Sequence, residues 1–257
     1  MTNAARTAFV TGGGQGLGAA VAKGLSEAGV SVAVAHPGAG ERAEDFAQEI
    51  GMPVCEWDVS DCDACLQGVK DVERAIGPID IPASNAGGNR DVMFHKMGRK
   101  DWDAVIGVDL GSMFNVTRQV IGGMPERGFG RIMNISSVNA ARGQAGQTNY
   151  CAAKADIKGF TRALARESAG KGVTVNTIAS GCADSAMVAD VPDEMISGIL
   201  EMVPMSRLAD LGEIGHCEIG HCVRFSLRTT PASSPGPRFR STAASAWVSR
   251  SFSSHDA

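Results

Sequence analysis

The chain has one tyrosine, and aromatics make up only 5% of its 257 residues. Chemistry that needs a phenol therefore has a single candidate. No apolar run approaches the roughly 18 residues that a membrane-spanning helix requires. Cationic residues are not in excess: 24 Lys and Arg stand against 28 Asp and Glu, for a net charge of −4. Nothing overall draws the chain to nucleic acid or to an anionic membrane. The 7 cysteines are odd in number and scattered along the chain. That excludes a disulfide framework and implies a reducing compartment. Met1 to Arg6 show no basic segment leading into an apolar one, so the expectation is a cytoplasmic protein without a signal peptide. What remains is an ordinary globular composition, 44% hydrophobic and 20% charged, long enough to bury a sizeable core.

Short apolar runs alternate with amphipathic stretches. Thr7–Thr11, Ser31–Ala35, Pro53–Trp57, Ile79–Ala83, Arg131–Ser136 and Val173–Ile178 read as buried strands. Leu17–Ala28, Glu41–Ile50, Cys62–Ile76, Trp102–Met124 and Asn149–Ala169 read as helices. Such alternation predicts right-handed strand–helix–strand crossovers: an α/β fold with a doubly wound parallel sheet in three layers, αβα.

Thr11-Gly12-Gly13-Gly14-Gln15-Gly16-Leu17-Gly18 follows the first strand and opens a helix. Glycines there let the backbone turn sharply and approach a pyrophosphate, and the helix N-terminus supplies free N–H groups. The spacing, Gly12-x3-Gly16-x-Gly18, is not the strict dinucleotide fingerprint, but strand, turn and helix come in the right order. A fold selecting NAD places Asp or Glu at the end of the second strand. Here that strand runs into Ala35-His36-Pro37-Gly38, and the first acid is Glu41. No carboxylate would repel a 2′-phosphate and Arg42 could reach one, which favours NADP. The alternative is that Arg42 is a solvated helix residue. Asp58 and Val59, after the third strand, are placed to meet an adenine.

Tyr150 and Lys154 are four residues apart in a helical segment and so share a face. A nearby ammonium favours phenolate and lowers the pKa of a phenol. That would make Tyr150 a proton donor or acceptor near neutral pH. Ser137, just past a strand, could hold a carbonyl beside it. Tyr-x3-Lys alone is usually a helix surface pair; the glycine turn and the strand-end serine change that reading.

With these residues the chain resembles the short-chain dehydrogenases/reductases, and within them the NADPH-dependent acetoacetyl-CoA reductases of polyhydroxyalkanoate synthesis. The similar stretches are Asn89–Met97, Asp101–Ile106, Phe114–Val120, Gly128–Asn139, Gly143–Tyr150 and Gly172–Thr177. The resemblance implies a Rossmann-type sheet, a homotetramer and hydride transfer from NADPH to a small-molecule 3-oxoacyl-CoA. It implies that Tyr150 protonates the alkoxide, that Lys154 depresses its pKa and binds the nicotinamide ribose, and that Ser137 holds the keto oxygen. Asn85, Ala86 and Gly87 match the Asn-Ala-Gly turn beside the cofactor. Gly181 and Ser185 match later cofactor-side positions. Asp91, Lys96, Gln144 and Gln147 match substrate-side positions. Two further readings stay open: a reductase of 3-oxoacyl chains on acyl-carrier protein, and a nucleotide-binding relic without activity.

The departures are specific. Asp109 stands where the family has a catalytic Asn; an ionised Asp only accepts hydrogen bonds, so a proton relay there would change and phenolate would be opposed. Pro82 removes a donor from a central strand, and Ser84 replaces an Asn. Ser180 replaces a Pro, Cys182 a substrate-side Tyr. Residues 213–217 and 218–222 are both Glu-Ile-Gly-His-Cys. From Val223 onward five Arg against one Asp leave a net +4, and −8 in the remainder. The composition divides the chain into a reductase domain, 1–225, and a Ser-, Arg- and Pro-rich tail, 226–257, too polar to pack. The expectation is that the last strand of the sheet is lost, through a shift of reading frame close to the duplication. His216, Cys217, His221 and Cys222 arise from that duplication and are read as no metal site. Cys62-x2-Cys65 is read as a packed thiol and not a redox pair.

Overall fold

The computed structural model describes residues 6–38, 51–181, 183, 193–201, 203, 205–213 and 239–240. The order of elements is β1 (Thr7–Thr11), α1 (Gly16–Glu27), β2 (Ser31–His36), β3 (Val54–Glu56), α2 (Cys62–Ile76) and β4 (Ile81–Ser84). There follow α3 (Arg99–Ile106), a π-helical turn (Gly107–Gly111), α4 (Ser112–Val120), β5 (Gly130–Ser137), the one-turn α5 (Asn139–Arg142), α6 (Thr148–Ser168) and β6 (Val173–Ser180). The helix α7 (Asp193–Glu201) and the strand β7 (Phe239–Arg240) complete it. The expected helix Glu41–Ile50 lies outside the described residues.

The strands form one parallel sheet in the order β3-β2-β1-β4-β5-β6-β7. The order reverses between β1 and β4, which opens a crevice at their carboxyl ends, where ligands bind in such sheets. Alternate residues of each strand face opposite helical layers. Val10, Val34, Ile81 and Met133 pack in one cluster with Val21 and Leu25 of α1. Phe9, Ala33 and Ile132 pack in the other with Val69 and Val72 of α2 and Val116 and Val120 of α4. Each fully buried Val or Leu contributes about 1.5–3 kcal/mol relative to exposure. The doubly wound, three-layer expectation is met.

Two expectations change and one stands. The segment Trp102–Met124 is not one uniform helix: the π turn interrupts it between α3 and α4. Periodicity over so long a window averages away a one-turn change of pitch. Pro82 does sit in a central strand, where it brings no ladder donor; it pairs in register with Phe9, while the β4–β5 ladder begins at Ala83 and has only two pairs. Finally, the sheet edge after β6 is not bare. Phe239 and Arg240 pair with Ile178 and Ala179, a two-residue stub against the eight pairs of β5 with β6.

Candidate active site

The glycine turn sits on the end of β1, as its spacing predicts. Gly12 has φ +62°, and a Cβ there would meet Ala86 Cα at 3.0 Å. A Cβ on Gly18 would lie 2.1 Å from the Gly12 carbonyl oxygen, so only glycine lets α1 approach its own loop this closely. Gln15 is the exposed N-cap and makes no side-chain cap bond. The first-turn N–H groups, with Gly16 and Leu17, are therefore not closed off by a capping side chain. Gly14 is buried in the turn.

Asn85 locks this turn from β4. Its Nδ2 donates to the carbonyls of Thr11 (3.1 Å) and Gly12 (3.3 Å), and the N–H groups of Asn85 and Ala86 both donate to Thr11 Oγ1 at 3.0 Å. Asp58 is exposed at the end of β3, where its carboxylate takes the Ser60 N–H. Val59 is buried, and its carbonyl accepts from Asn115 Nδ2 at 3.0 Å. His36 closes β2 with Nδ1 2.8 Å from the Gly38 carbonyl oxygen. Gly181 follows β6 directly. Arg42, Cys182 and Ser185 lie outside the described residues.

Ser137 ends β5 and Tyr150 lies in the first turn of α6. Lys154, one turn on, is 4% exposed. Its Nζ donates to the Ile135 carbonyl at 3.2 Å, lies 3.0 Å from Asp109 Oδ1 and stands 5.7 Å from the centre of the Tyr150 ring. Asp109 is fully buried on the π turn, and its Oδ2 accepts the Gly88 N–H at 3.0 Å. π turns of this kind recur at functional sites. Segment 85–88 joins the two halves: Ala86 touches the glycine turn, and a Cβ on Gly87 would fall 2.6 Å from Asp109 Oδ1 and 3.0 Å from Lys154 Nζ.

Burial would push the Lys154 ammonium down, but Asp109 and Tyr150 more than offset it and hold its pKa above the ordinary lysine value. Lys154 does lower the Tyr150 phenol, as expected, but other influences outweigh it. Burial raises the phenol, Lys154 lowers it, Asp109 raises it again and the Ser137 hydrogen bond lowers it; the balance is a pKa above an ordinary phenol. The carboxylate cancels much of the ammonium's field, as the replacement of Asn by Asp foretold.

The substrate-side residues divide. Asp91 Oδ2 accepts from Gln147 Nε2 at 2.8 Å, and Gln147 Oε1 accepts from Asn139 Nδ2 at 3.0 Å. The Gln144 carbonyl accepts the Gln147 N–H at 3.1 Å. Lys96 stands exposed on the short turn Phe94–Lys96 and does not join this chain of bonds. Asn149 was not singled out from sequence. Fully buried, it donates to the carbonyls of Arg90 and Asp101 at 3.2 Å each, fixing the start of α6 and so Tyr150. A polar residue at a helix start was its only signal, and many solvated caps share it.

Cys65 is buried, its thiol pushed up to about 11 chiefly by burial, while Cys62 is exposed; the packed-thiol reading fits. Among the described residues no group of three or more His, Cys, Asp or Glu could hold a metal ion. Among them, too, no helix is long and apolar enough to cross a membrane.

Comparison with known proteins agrees with this geometry. Residues 6–196 match the model of the short chain dehydrogenase family. The chain is 48% identical over 215 residues to an acetoacetyl-CoA reductase of Rhizobium meliloti, covering 83% of this chain and 89% of that protein. It is 44% identical over 208 residues to an acetoacetyl-CoA reductase of Cupriavidus necator, covering 79% and 85%. To a 3-oxoacyl-acyl-carrier-protein reductase of Vibrio harveyi it is 38% identical over 213 residues, covering 81% and 86%. With its crossover sheet, glycine turn and Ser137–Tyr150–Lys154 grouping, the chain belongs to the short-chain dehydrogenase family.

Proposed function

We propose that this protein reduces a 3-oxoacyl-CoA, acetoacetyl-CoA first among them, to the 3-hydroxyacyl-CoA with NADPH. The observation that carries the reading is the bridge made by residues 85–88, with the glycine turn at one end and the Lys154–Asp109 pair beneath Tyr150 at the other. Relatives named acetoacetyl-CoA reductase reach 48% and 44% identity against 38% for the carrier-protein reductase, although another of that name stands at 36%; the higher values support the CoA thioester as substrate.

The site fits a dinucleotide. The backbone approaches itself too closely at Gly18 for any side chain, and a Cβ on Gly16 would meet nothing within 4 Å. Gly12, Gly14, Gln15, Gly16, Leu17 and Gly18 would hold the pyrophosphate, Asp58 and Val59 the adenine, Asn85, Ala86, Gly87 and Gly181 the nicotinamide half. When bound, NADPH supplies the hydride. Ser137 donates a hydrogen bond to the keto oxygen and orients it. Tyr150 gives its phenolic proton to the oxygen as negative charge develops there. Lys154 stabilises the phenolate left behind. A proton donor so placed contributes typically ~10²–10⁴ in rate. Gln147 and Asp91 line the approach for the acyl chain. His36 at the end of β2, with no carboxylate through Gly38, supports NADP over NAD. We further propose a cytoplasmic homotetramer; exposed Leu66 on α2 and Phe114 on α4 are apolar surface suited to a subunit contact.

Purified protein, NADPH and acetoacetyl-CoA, followed at the nicotinamide absorbance, test the reading. Turnover that Tyr150→Phe reduces by about 10²-fold or more is expected, with a lower rate on the carrier-bound thioester. Undiminished turnover in Tyr150→Phe overturns it. Cofactor binding without any turnover identifies an inactive relic, and gel filtration reads the assembly.

A further inference from the structure

The π turn carries a buried carboxylate into the site. Asp109 is fully buried and Lys154 nearly so, and the two make an ion pair at 3.0 Å. Backbone closes the pair on two sides: Gly88 N–H donates to Asp109 Oδ2, and Gly87 leaves no room for a side chain against either partner. A buried ammonium alone draws a neighbouring phenol toward phenolate; a neutral pair does so far less. Burial acts first on Tyr150 and raises it; the groups that act beside burial are Lys154 and Cys151 from its own helix, Asp109 from the π turn and Ser137 from the end of β5.

We propose that Asp109 is a positioning residue: by neutralising Lys154 in a buried pair, it keeps Tyr150 a neutral phenol and commits the site to giving a proton, not taking one. The inference rests on Tyr150 as the proton donor of the reaction above. In reduction, hydride forms the new C–H bond, the carbonyl π pair moves onto oxygen, and the Tyr150 O–H bond breaks as its proton joins that oxygen. Solvent then reprotonates the phenolate. The reverse reaction must begin from phenolate, which this site populates only in alkaline solution. Reduction is thus favoured kinetically at neutral pH, and oxidation of the 3-hydroxy product rises steeply only as pH rises.

Tyr150 is the chain's only tyrosine. The near-ultraviolet phenolate absorbance of the unliganded protein therefore titrates that residue alone. Spectra are taken immediately after a pH jump, before alkaline unfolding. The expected midpoint lies above that of free tyrosine, and Asp109→Asn lowers it by about one to two pH units. The pH profile of product oxidation shifts by the same amount. A wild-type midpoint at or below that of free tyrosine overturns the proposal without any variant; so does an unchanged midpoint in folded Asp109→Asn. The titration needs neither cofactor nor substrate, so absence of turnover would sink the reductase reading and leave this result standing.

A second inference rests on the tail and the genetic code. Read one base back, each codon takes the third base of one residue and the first two of the next. With TCN serines, Ala232–Ser233, Ser233–Ser234 and Arg240–Ser241 then give codons ending in TC; Arg238–Phe239 gives one ending in TT. All four encode only Phe, Leu, Ile or Val. Thr242–Ala243 and Ala243–Ala244 give codons that admit Gly. One choice of third bases spells Phe-Ile-Thr-Gly-Ala-Thr-Ile-Ser-Ile-Asn-Gly-Gly, an alternating strand between glycine turns. Its alternating part falls on 238–241, around β7. We infer that the coding DNA slipped register near the Glu-Ile-Gly-His-Cys duplication and that the displaced frame encodes a full edge strand beside β6. The gene sequence tests this. An open displaced frame with apolar codons at those four points is expected. AGY serines at 233, 234 or 241, or a stop codon, overturn it.

Discussion

Thr11 and Asn85 hold each other reciprocally: the Asn85 N–H donates to Thr11 Oγ1 at 3.0 Å, and Asn85 Nδ2 donates to the Thr11 carbonyl at 3.1 Å. The ends of β1 and β4 are thereby fastened across the point where strand order reverses. Asn85→Ala removes the amide's bonds to Thr11 and Gly12 but leaves the backbone bonds. Each lost bond costs about 0.5–1.5 kcal/mol. Urea unfolding should show a loss of about 1–3 kcal/mol, and the KM for NADPH should rise more than kcat falls. An unchanged KM would mean that the turn does not depend on this buttress.

Gly18→Ala tests the same turn from the helix side. The added Cβ would press on the Gly12 carbonyl oxygen and lie 2.5 Å from Asn85 Nδ2. Overpacking of this kind costs about 1–3 kcal/mol. Cofactor binding, measured by fluorescence quenching, should weaken at least tenfold. Gly16→Ala, where the Cβ meets nothing within 4 Å but φ is +55°, should cost about 1 kcal/mol of stability through backbone strain alone.

Stability should fall in alkali with a defined sign. Lys154 and Tyr150 both have pKa values raised by folding. Between its unfolded and folded pKa values, each group binds more protons folded than unfolded, so stability declines as pH rises. The contribution is fully present below the ordinary values, 10.0 for Tyr150 and 10.5 for Lys154, and is lost as pH rises through the folded ones. Urea midpoints should be level through neutrality on account of this pair and drop above pH 10. In Lys154→Met the lysine part of that alkaline drop should vanish. A drop of unchanged size would place its origin elsewhere.

Cys62 and Cys65 should differ sharply toward alkylation. Cys62 is exposed at the start of α2, whereas Cys65 is buried with its thiol pushed up to about 11. Iodoacetamide at neutral pH, followed by peptide mapping, should modify Cys62 at least tenfold faster. Equal rates, or a disulfide between the two, would contradict the packed environment of Cys65.

The strands and the glycine turn were legible because their signals are local. Buried parallel strands must be apolar on both faces, and a backbone that folds onto itself at Gly12 and Gly18 admits nothing but glycine. Tyr150, Lys154 and Ser137 were legible only in combination, since each pattern alone is common on surfaces. Asn149 and Asn115 were not legible. Their amides serve carbonyls at Arg90, Asp101, Val59 and Ser60, and no spacing along the chain announces partners that distant.

Residue types and their order were thus enough to decide the layering and the identity of the only available phenol. The sign of that phenol's shift was decided by packing, first by burial of the ring and then by a buried carboxylate. A π turn, invisible to a 3.6-residue period, brings Asp109 within 3.0 Å of Lys154. Where two opposite charges lie buried side by side, their fields nearly cancel, and only their positions in space say which one the neighbour feels.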